Sequence, residues 1–313
     1  MKTQKLMYGL AATVIAGSLM LTSCKKATTE TAQPDTEQAT ASDNSYSENT
    51  SNDVVNMGSQ ASENGALSTF KIAPDTYVGG VLMAPTATVI IGVKIYTVDF
   101  GPAPGTICAD GRVRSGKIIF DYTATTGTAT AYRHPGFKLN VSTQNYVVEG
   151  YTVNIASKTI QNTTTPGFNP ATTNLTWNIT SNMSIIKPSG GGTIVWACNR
   201  NTTLLNTSDT AVYKNGGIVI NWLKAKIKFD GTASGTSANN ESFSAVGTSL
   251  VVDMTCSPYG TGPFIKHRHP FISGTLAFTP GTRPTRTIDF GAGVCDNTAS
   301  IVIDGHTYTF VIP

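Results

Sequence analysis

The chain is short of charge. Lys, Arg, Asp and Glu make up 13% of its 313 residues, with 22 basic against 19 acidic side chains, about half the charged share of an ordinary soluble domain. That density and near balance exclude a highly charged disordered protein and a strongly basic nucleic-acid binder. Long apolar runs are missing as well. No stretch of 18 apolar residues lies beyond the first 25 positions, which excludes a helical multi-span membrane protein. No window of a dozen residues after position 70 carries a 3.6-residue apolar period, so helices should be rare there. Hydrolase and nucleotide signatures are absent too: no Gly-x-Ser-x-Gly elbow, no His-Glu-x-x-His and no P-loop. What remains is rich in Thr, about one residue in six or seven, with 30 Gly and short aliphatic runs, a composition of strands and turns.

The amino terminus has its own pattern. Lys2 and Lys5 precede an apolar run from Leu6 to Leu21, the charged and apolar regions of an export signal. The run ends in Leu21-Thr22-Ser23-Cys24, which resembles the lipobox of bacterial lipoproteins. The resemblance implies cleavage before Cys24, a diacylglycerol on its sulfur and a third acyl chain on its new amino group. Three chains, at about 0.8 kcal/mol per buried CH₂, anchor a protein where a single myristoyl chain binds only marginally.

From Lys25 to about Phe70 the residues turn to Thr, Ser, Glu, Asn, Gln and Ala, with Val54-Val55 as the only aliphatic pair. Such a segment buries too little apolar area to offset its chain entropy, and reads as a disordered tether. Its seven acidic side chains outweigh Lys25 and Lys26 to give −5, which leaves +6 on residues 71–313. The domain reading is therefore a signal peptide over 1–23, the lipidated Cys and tether over 24–70, and a body over 71–313. A sub-boundary near 160–172 would divide the body if it held two tandem units.

The body alternates. Leu175, Trp177, Ile179, Met183 and Ile185 share one side of a strand, with Thr176, Asn178, Thr180, Asn182 and Ser184 on the other. Leu223, Ala225, Ile227 and Phe229 alternate with Lys224, Lys226 and Lys228, whose charges would guard a sheet edge. Turn pairs fall at Asp110-Gly111, Asn215-Gly216, Asp230-Gly231 and Asp304-Gly305, the last between two alternating runs and the strongest hairpin signal. The expected fold is all-β, an antiparallel β-sandwich or a long curved β-meander.

One pattern recurs. Thr97-Val98-Asp99-Phe100-Gly101 precedes Cys108, and Thr287-Ile288-Asp289-Phe290-Gly291 precedes Cys295. Each reads as a strand end whose Phe packs inward, whose Gly permits a turn and whose Asp caps it. The kinase loop that shares the letters Asp-Phe-Gly is excluded by the lack of its companion motifs. Together with the lipobox, the tether, the run Cys108-Ala109-Asp110-Gly111-Arg112 and the terminal Cys295-Asp296-Asn297, this pattern resembles a group of uncharacterised lipoproteins of Bacteroidota-type bacteria. The resemblance implies an envelope location, at the outer membrane and facing periplasm or cell surface, and an all-β body. It also implies that Asp209-Thr210-Ala211 fits an O-glycosylation site at Thr210.

Beyond Cys24, four cysteines remain, an even number in a chain read as exported, so disulfides are expected. Cys256 with Cys295 is the preferred pair, because both fall in the last hairpin-rich segment. Cys108 with Cys198 follows by subtraction. His267 and His269, two apart on either side of Arg268, face one way if extended and are the weak metal candidates, without a third ligand in view. A basic loop with anionic contacts is the other reading of that segment. Trp177, Trp196 and Trp222 lie on apolar faces and read as core rather than as sugar-stacking platforms. Glu149, Glu241, Asp121 and Asp253 are the carboxylates a glycosidase would draw on, and no sequence spacing pairs them. The expectation is a lipid-anchored envelope protein with a non-catalytic structural, adhesive or ligand-binding role. It needs no cofactor, binds the membrane through acylated Cys24, meets a glycan or an envelope protein, and does not bind nucleic acid. The alternatives are a glycan-binding or carbohydrate-active component of an uptake system, and a carrier of lipid or lipoproteins.

Overall fold

A computed structural model describes residues 37–61, 88–91, 94–108, 111–125, 129, 132–214, 217–221, 224–256, 271–296 and 298–311. Helix α1 (Ala39–Ala61) comes first. The strands that follow are β1 (Thr88–Ile91), β2 (Ile95–Asp99), β3 (Thr106–Ile107), β4 (Val113–Asp121), β5 (Lys138–Val148), β6 (Tyr151–Asn162), β7 (Thr176–Ile186) and β8 (Thr193–Leu204). A one-turn helix α2 (Thr207–Thr210) and the hairpin β9 (Ala211–Lys214) and β10 (Gly217–Ile220) interrupt them. The chain continues through β11 (Lys226–Thr236), β12 (Ser242–Asp253), β13 (Phe271–Pro280), β14 (Arg286–Ala292), β15 (Thr298–Ile303) and β16 (His306–Val311).

Fourteen strands form one antiparallel sheet. Thirteen lie along a path in chain order from β1 to β16, β3 pairs to the side of β4, and β9–β10 stand apart. The all-β expectation is met, as a meander. Alternation explains why: in β7, Trp177, Ile179, Met183 and Ile185 are buried while Thr180, Asn182 and Ile186 are exposed. In β8, Ile194, Trp196, Cys198, Arg200, Thr202 and Leu204 point inward and Thr193, Val195, Asn199 and Asn201 outward. The proposed sub-boundary near 160–172 falls between β6 and β7, which are paired from Thr152↔Ile186 to Asn162↔Trp177, so the sheet runs through it without a break.

Two turn readings divide. Asp304-Gly305 joins β15 to β16, with both residues at positive φ, as a two-residue hairpin requires. Asp230-Gly231 is no turn. It sits inside β11 at a bulge, where the register shifts between Phe229 and Gly231 and the Asp230 carboxylate accepts the Ser249 amide at 2.7 Å. Nor do the lysines beside it guard an edge, because β11 lies between β8 and β12. Lys226 and Lys228 stand on the outer face, paired with Asp253 at 2.9 Å and Asp230 at 2.8 Å.

The recurring pattern has one geometry. Asp99 Oδ1 accepts the Gly101 amide at 2.9 Å, and Asp289 Oδ1 accepts the Gly291 amide at 2.8 Å. Phe100 and Phe290 are buried, and both glycines hold a positive φ that a side chain would strain. The Gly101 amide, and then Lys117, lower the Asp99 pKa from the ordinary carboxylate value.

The largest departure from expectation is α1. The segment read as disordered tether is helical over Ala39–Ala61, 23 residues or about 34 Å, and most of its described side chains are buried. The sheet curls around it. Gly58 lies against β2 and β4, where the Tyr96 hydroxyl donates to its carbonyl at 2.9 Å and an added Cβ would sit 2.7 Å from the Phe120 ring. On another side, Asn52, Val55 and Asn56 face Trp177 of β7, Phe229 of β11 and Val252 of β12. No helix among the described residues is long and apolar enough to cross a membrane.

Candidate functional site

The most elaborate chemistry lies where α1 meets the inner face of the sheet. Helix propensity does not explain α1, because its sequence is dominated by Ser, Asn and Thr, residues that favour caps and turns. The helix is held by groups outside itself. Glu37 Oε1 accepts both the Thr40 amide and its hydroxyl at 2.7 Å, which satisfies one orphan donor of the first turn. Glu37 is in turn reached by Arg286 of β14 through its backbone carbonyl.

Further along, each acid of the helix meets a cation on a strand or beside its end. Asp43 pairs with Lys187 at 2.5 Å and accepts the Ala238 amide at 2.8 Å. Asn44 accepts the Trp196 indole N–H at 3.0 Å. Glu48 takes Arg200 in a two-pronged pair, Nε at 3.1 Å and Nη2 at 2.7 Å, with the two side chains only 2% and 4% exposed. Asp53 bridges Arg112 at 2.6 Å and Arg114 at 2.9 Å, one to each carboxylate oxygen. Between these, Tyr46 stacks on Tyr151 with centroids 4.3 Å apart, and Val54 and Met57 contribute to the core. Forks of this kind are the strong, geometrically selective form of ion pairing.

One row of the inner face is different. Lys158 of β6, Ser181 of β7 and Cys198 of β8 are opposite one another across the ladder. Lys158 Nζ donates to the Ser51 hydroxyl of α1 at 2.6 Å. Burial pushes Lys158 down to about 8 and the Cys198 thiol up to about 12. At Arg200 burial opposes the charge, but Glu48 outweighs it and the pKa is raised.

One hollow lies at this interface and a second away from α1. A cleft of about 40 Å³ lies between α1 and the sheet, lined by Asn52, Val55, Trp177, Phe229 and Met254 among others. That is room for very few waters. An open groove of about 700 Å³ is lined by Asp99, Pro102, Lys117, Gln144, Asn145 and Thr152, with Asp99 and Lys117 paired at 3.0 Å. Much of the outer face between β6 and β11 is hydroxyl and amide, while Lys226 and Lys228 hold ion pairs there and Ile186, Val195, Val246 and Val302 are exposed. Across it run the rows Gln161, Asn178, Asn201, Asp230 and Thr159, Thr180, Asn199, Thr232. Asn178 Nδ2 donates to both Asn199 at 2.8 Å and Asn201 at 2.9 Å.

The residues singled out from sequence separate as follows. Cys256 and Cys295 form the preferred bridge, with sulfurs 2.07 Å and Cα atoms 5.3 Å apart across 39 positions. The Cys108–Cys198 bridge is not formed. Cys108 follows β3 at the side of β4, Cys198 faces inward from β8, and β4 and β8 are four strand spacings apart, far beyond the reach of a disulfide. Thr210 is buried, and its hydroxyl donates to the Asn206 carbonyl at 2.9 Å, so the folded chain does not present it for glycosylation. Cys24, His267, His269 and Trp222 lie outside the described residues. Trp177 and Trp196 are core.

The four carboxylates weighed for hydrolysis are each engaged separately. Glu149 accepts the Val113 amide, Glu241 pairs with Arg283, Asp121 accepts the Thr123 amide and Asp253 holds Lys226. Among the described residues no group of three or more His, Cys, Asp or Glu is placed to hold a metal.

Sequence reasoning missed α1 because a helix buried on nearly every side shows no apolar stripe. The available signal was charge: an acidic segment at −5 ahead of a body at +6. Compared with known proteins, the chain matches no family model, no curated protein and no solved structure.

Proposed function

We propose that the chain is a lipid-anchored protein of the bacterial cell envelope with a non-catalytic structural, adhesive or ligand-binding role, acting through the outer face of its sheet. The observation that supports this reading is the docking of α1. The segment that follows the candidate lipidation site occupies the inner face and satisfies its cations, so the surface left to a partner is the outer face, where rows of Thr, Asn and Gln run beside exposed Val195 and Val246. Docking also shortens the stalk. Only residues 25–36 separate Cys24 from Glu37, at most about 45 Å when fully extended, so the body works close to the bilayer.

The amide and hydroxyl rows around Asn178 favour, as a second reading, an uncharged polyhydroxyl partner such as a glycan. In cells fed radioactive palmitate, the native chain should be labelled and sediment with membranes, while Cys24→Ala should lose the label and become soluble. Persistent labelling of that variant would end the anchoring proposal. For the glycan reading, Asn178→Ala should weaken retention of the body on envelope polysaccharide at least threefold; unchanged retention counts against it.

A further inference from the structure

The sheet ends at β16, and among the described residues this edge carries none of the usual protections. β16 pairs with β15 in unbroken register from Thr298↔Val311 to Ile303↔His306. No hydrogen bond reaches its other side among the described residues. Sheet edges are normally blunted by Lys, Pro, a bulge or a cover, because an open row of N–H and C=O groups templates another strand. The run His306-Thr307-Tyr308-Thr309-Phe310-Val311 has no Lys, no Pro and no bulge.

Its side chains are also incompletely covered. Ala299 and Ile301 of β15 are buried, whereas Phe310 and Tyr308 opposite them are only partly so. On the outer side Val311 is 62% and Val302 48% exposed.

We propose that β16 pairs antiparallel with β16 of a second copy about a two-fold axis at Thr309, continuing the sheet from one molecule into the next. Three features favour a second copy. The strand carries no formal charge at neutral pH with His306 neutral, so laying it against itself opposes no like charges. The register centred on Thr309 sets Tyr308 against Phe310 of the second copy, and Phe310 against its Tyr308. These are cross-strand aromatic pairs on the under-covered face, while Thr307 meets Val311 on the other. Closure onto the molecule's own β1 is disfavoured, because thirteen strands that alternate in direction leave β1 and β16 parallel. An antiparallel pair of identical strands is isologous and stops at two copies. Five residues of pairing per strand form a small interface, so the dimer should be weak and depend on concentration.

The test is disulfide trapping in the full chain. Thr309→Cys places two cysteines on the axis and should give a dimer under mild oxidation. Thr307→Cys should not, because its mate across the axis is position 311 and the two introduced cysteines stand about 13 Å apart, from four residues of offset at about 3.4 Å. A mixture of Thr307→Cys and Val311→Cys chains should cross-link. No dimer from Thr309→Cys overturns the proposal; equal trapping of Thr307→Cys, or a ladder of higher multimers, also overturns it. Independently, Thr309→Lys should weaken association at least tenfold in sedimentation equilibrium, and an unchanged dissociation constant refutes the edge as the contact.

Discussion

The two faces of β8 carry opposite solutions to the same strand. Arg200 points inward and holds Glu48 with both side chains almost wholly buried, while Asn199 and Asn201, its neighbours, point outward into a wet lattice of amides. On the outer face of β11, Lys228 and Asp230 pair at 2.8 Å with each about one-third exposed. The difference teaches where each ion pair matters. In water a charge tolerates the loss of its mate, because solvent takes over. Inside, the desolvation penalty is already incurred, and only a matched partner in good geometry offsets it. The inner face therefore selects one helix with acids at the right positions, whereas the outer face leaves its residues interchangeable.

The comparison is broken most directly at Glu48. Glu48→Leu leaves Arg200 buried without its carboxylate and should cost about 3–5 kcal/mol in urea unfolding, with Glu48→Leu/Arg200→Met recovering most of it. Lys228→Ala should cost less than about 1 kcal/mol. Equal losses would mean that α1 is not held as described.

A smaller effect concerns Lys158, whose folded-state pKa is depressed to about 8. Between that pH and the ordinary lysine value near 10.5, the unfolded chain binds a proton that the folded chain has released, so this group's contribution to stability rises with pH. Lys158→Met removes the dependence. Its stability relative to the native chain should be about 1–3 kcal/mol more favourable at pH 7 than at pH 9.5. A difference that grows with pH would contradict burial of the amine. Smallest of all, Thr180→Val on the outer face should shift stability by no more than about 0.5 kcal/mol; a larger change would show that this wall is packed rather than wet.

How far these features could be read in advance depends on their range. The Asp99 and Asp289 caps are bonds to an amide two residues on, so three letters suffice to foresee them. The same dipeptide could not be assigned reliably: Asp304-Gly305 turns a hairpin, while Asp230-Gly231 bulges inside a strand whose neighbours are Arg200 and Gly247. The Cys256–Cys295 bridge was legible because its two ends share a compact segment. Separate burial of Cys108 and Cys198 was not, since it depends on how many strands intervene. Lys226 and Lys228 resembled edge guards, yet the strands at the two ends of the sheet are β1 and β16, because strand order across a sheet is a property of pairing and not of composition.

Alternation with period 2, a Thr-rich composition and short turns were enough to determine that this chain makes strands, since each of those signals acts over a few residues. Tertiary structure alone decided that a Ser- and Asn-rich acidic segment becomes a helix. Its backbone gains too little locally to hold that shape, and the enclosing strands and the residues beside their ends supply Arg112, Arg114, Lys158, Lys187 and Arg200 from positions far along the chain.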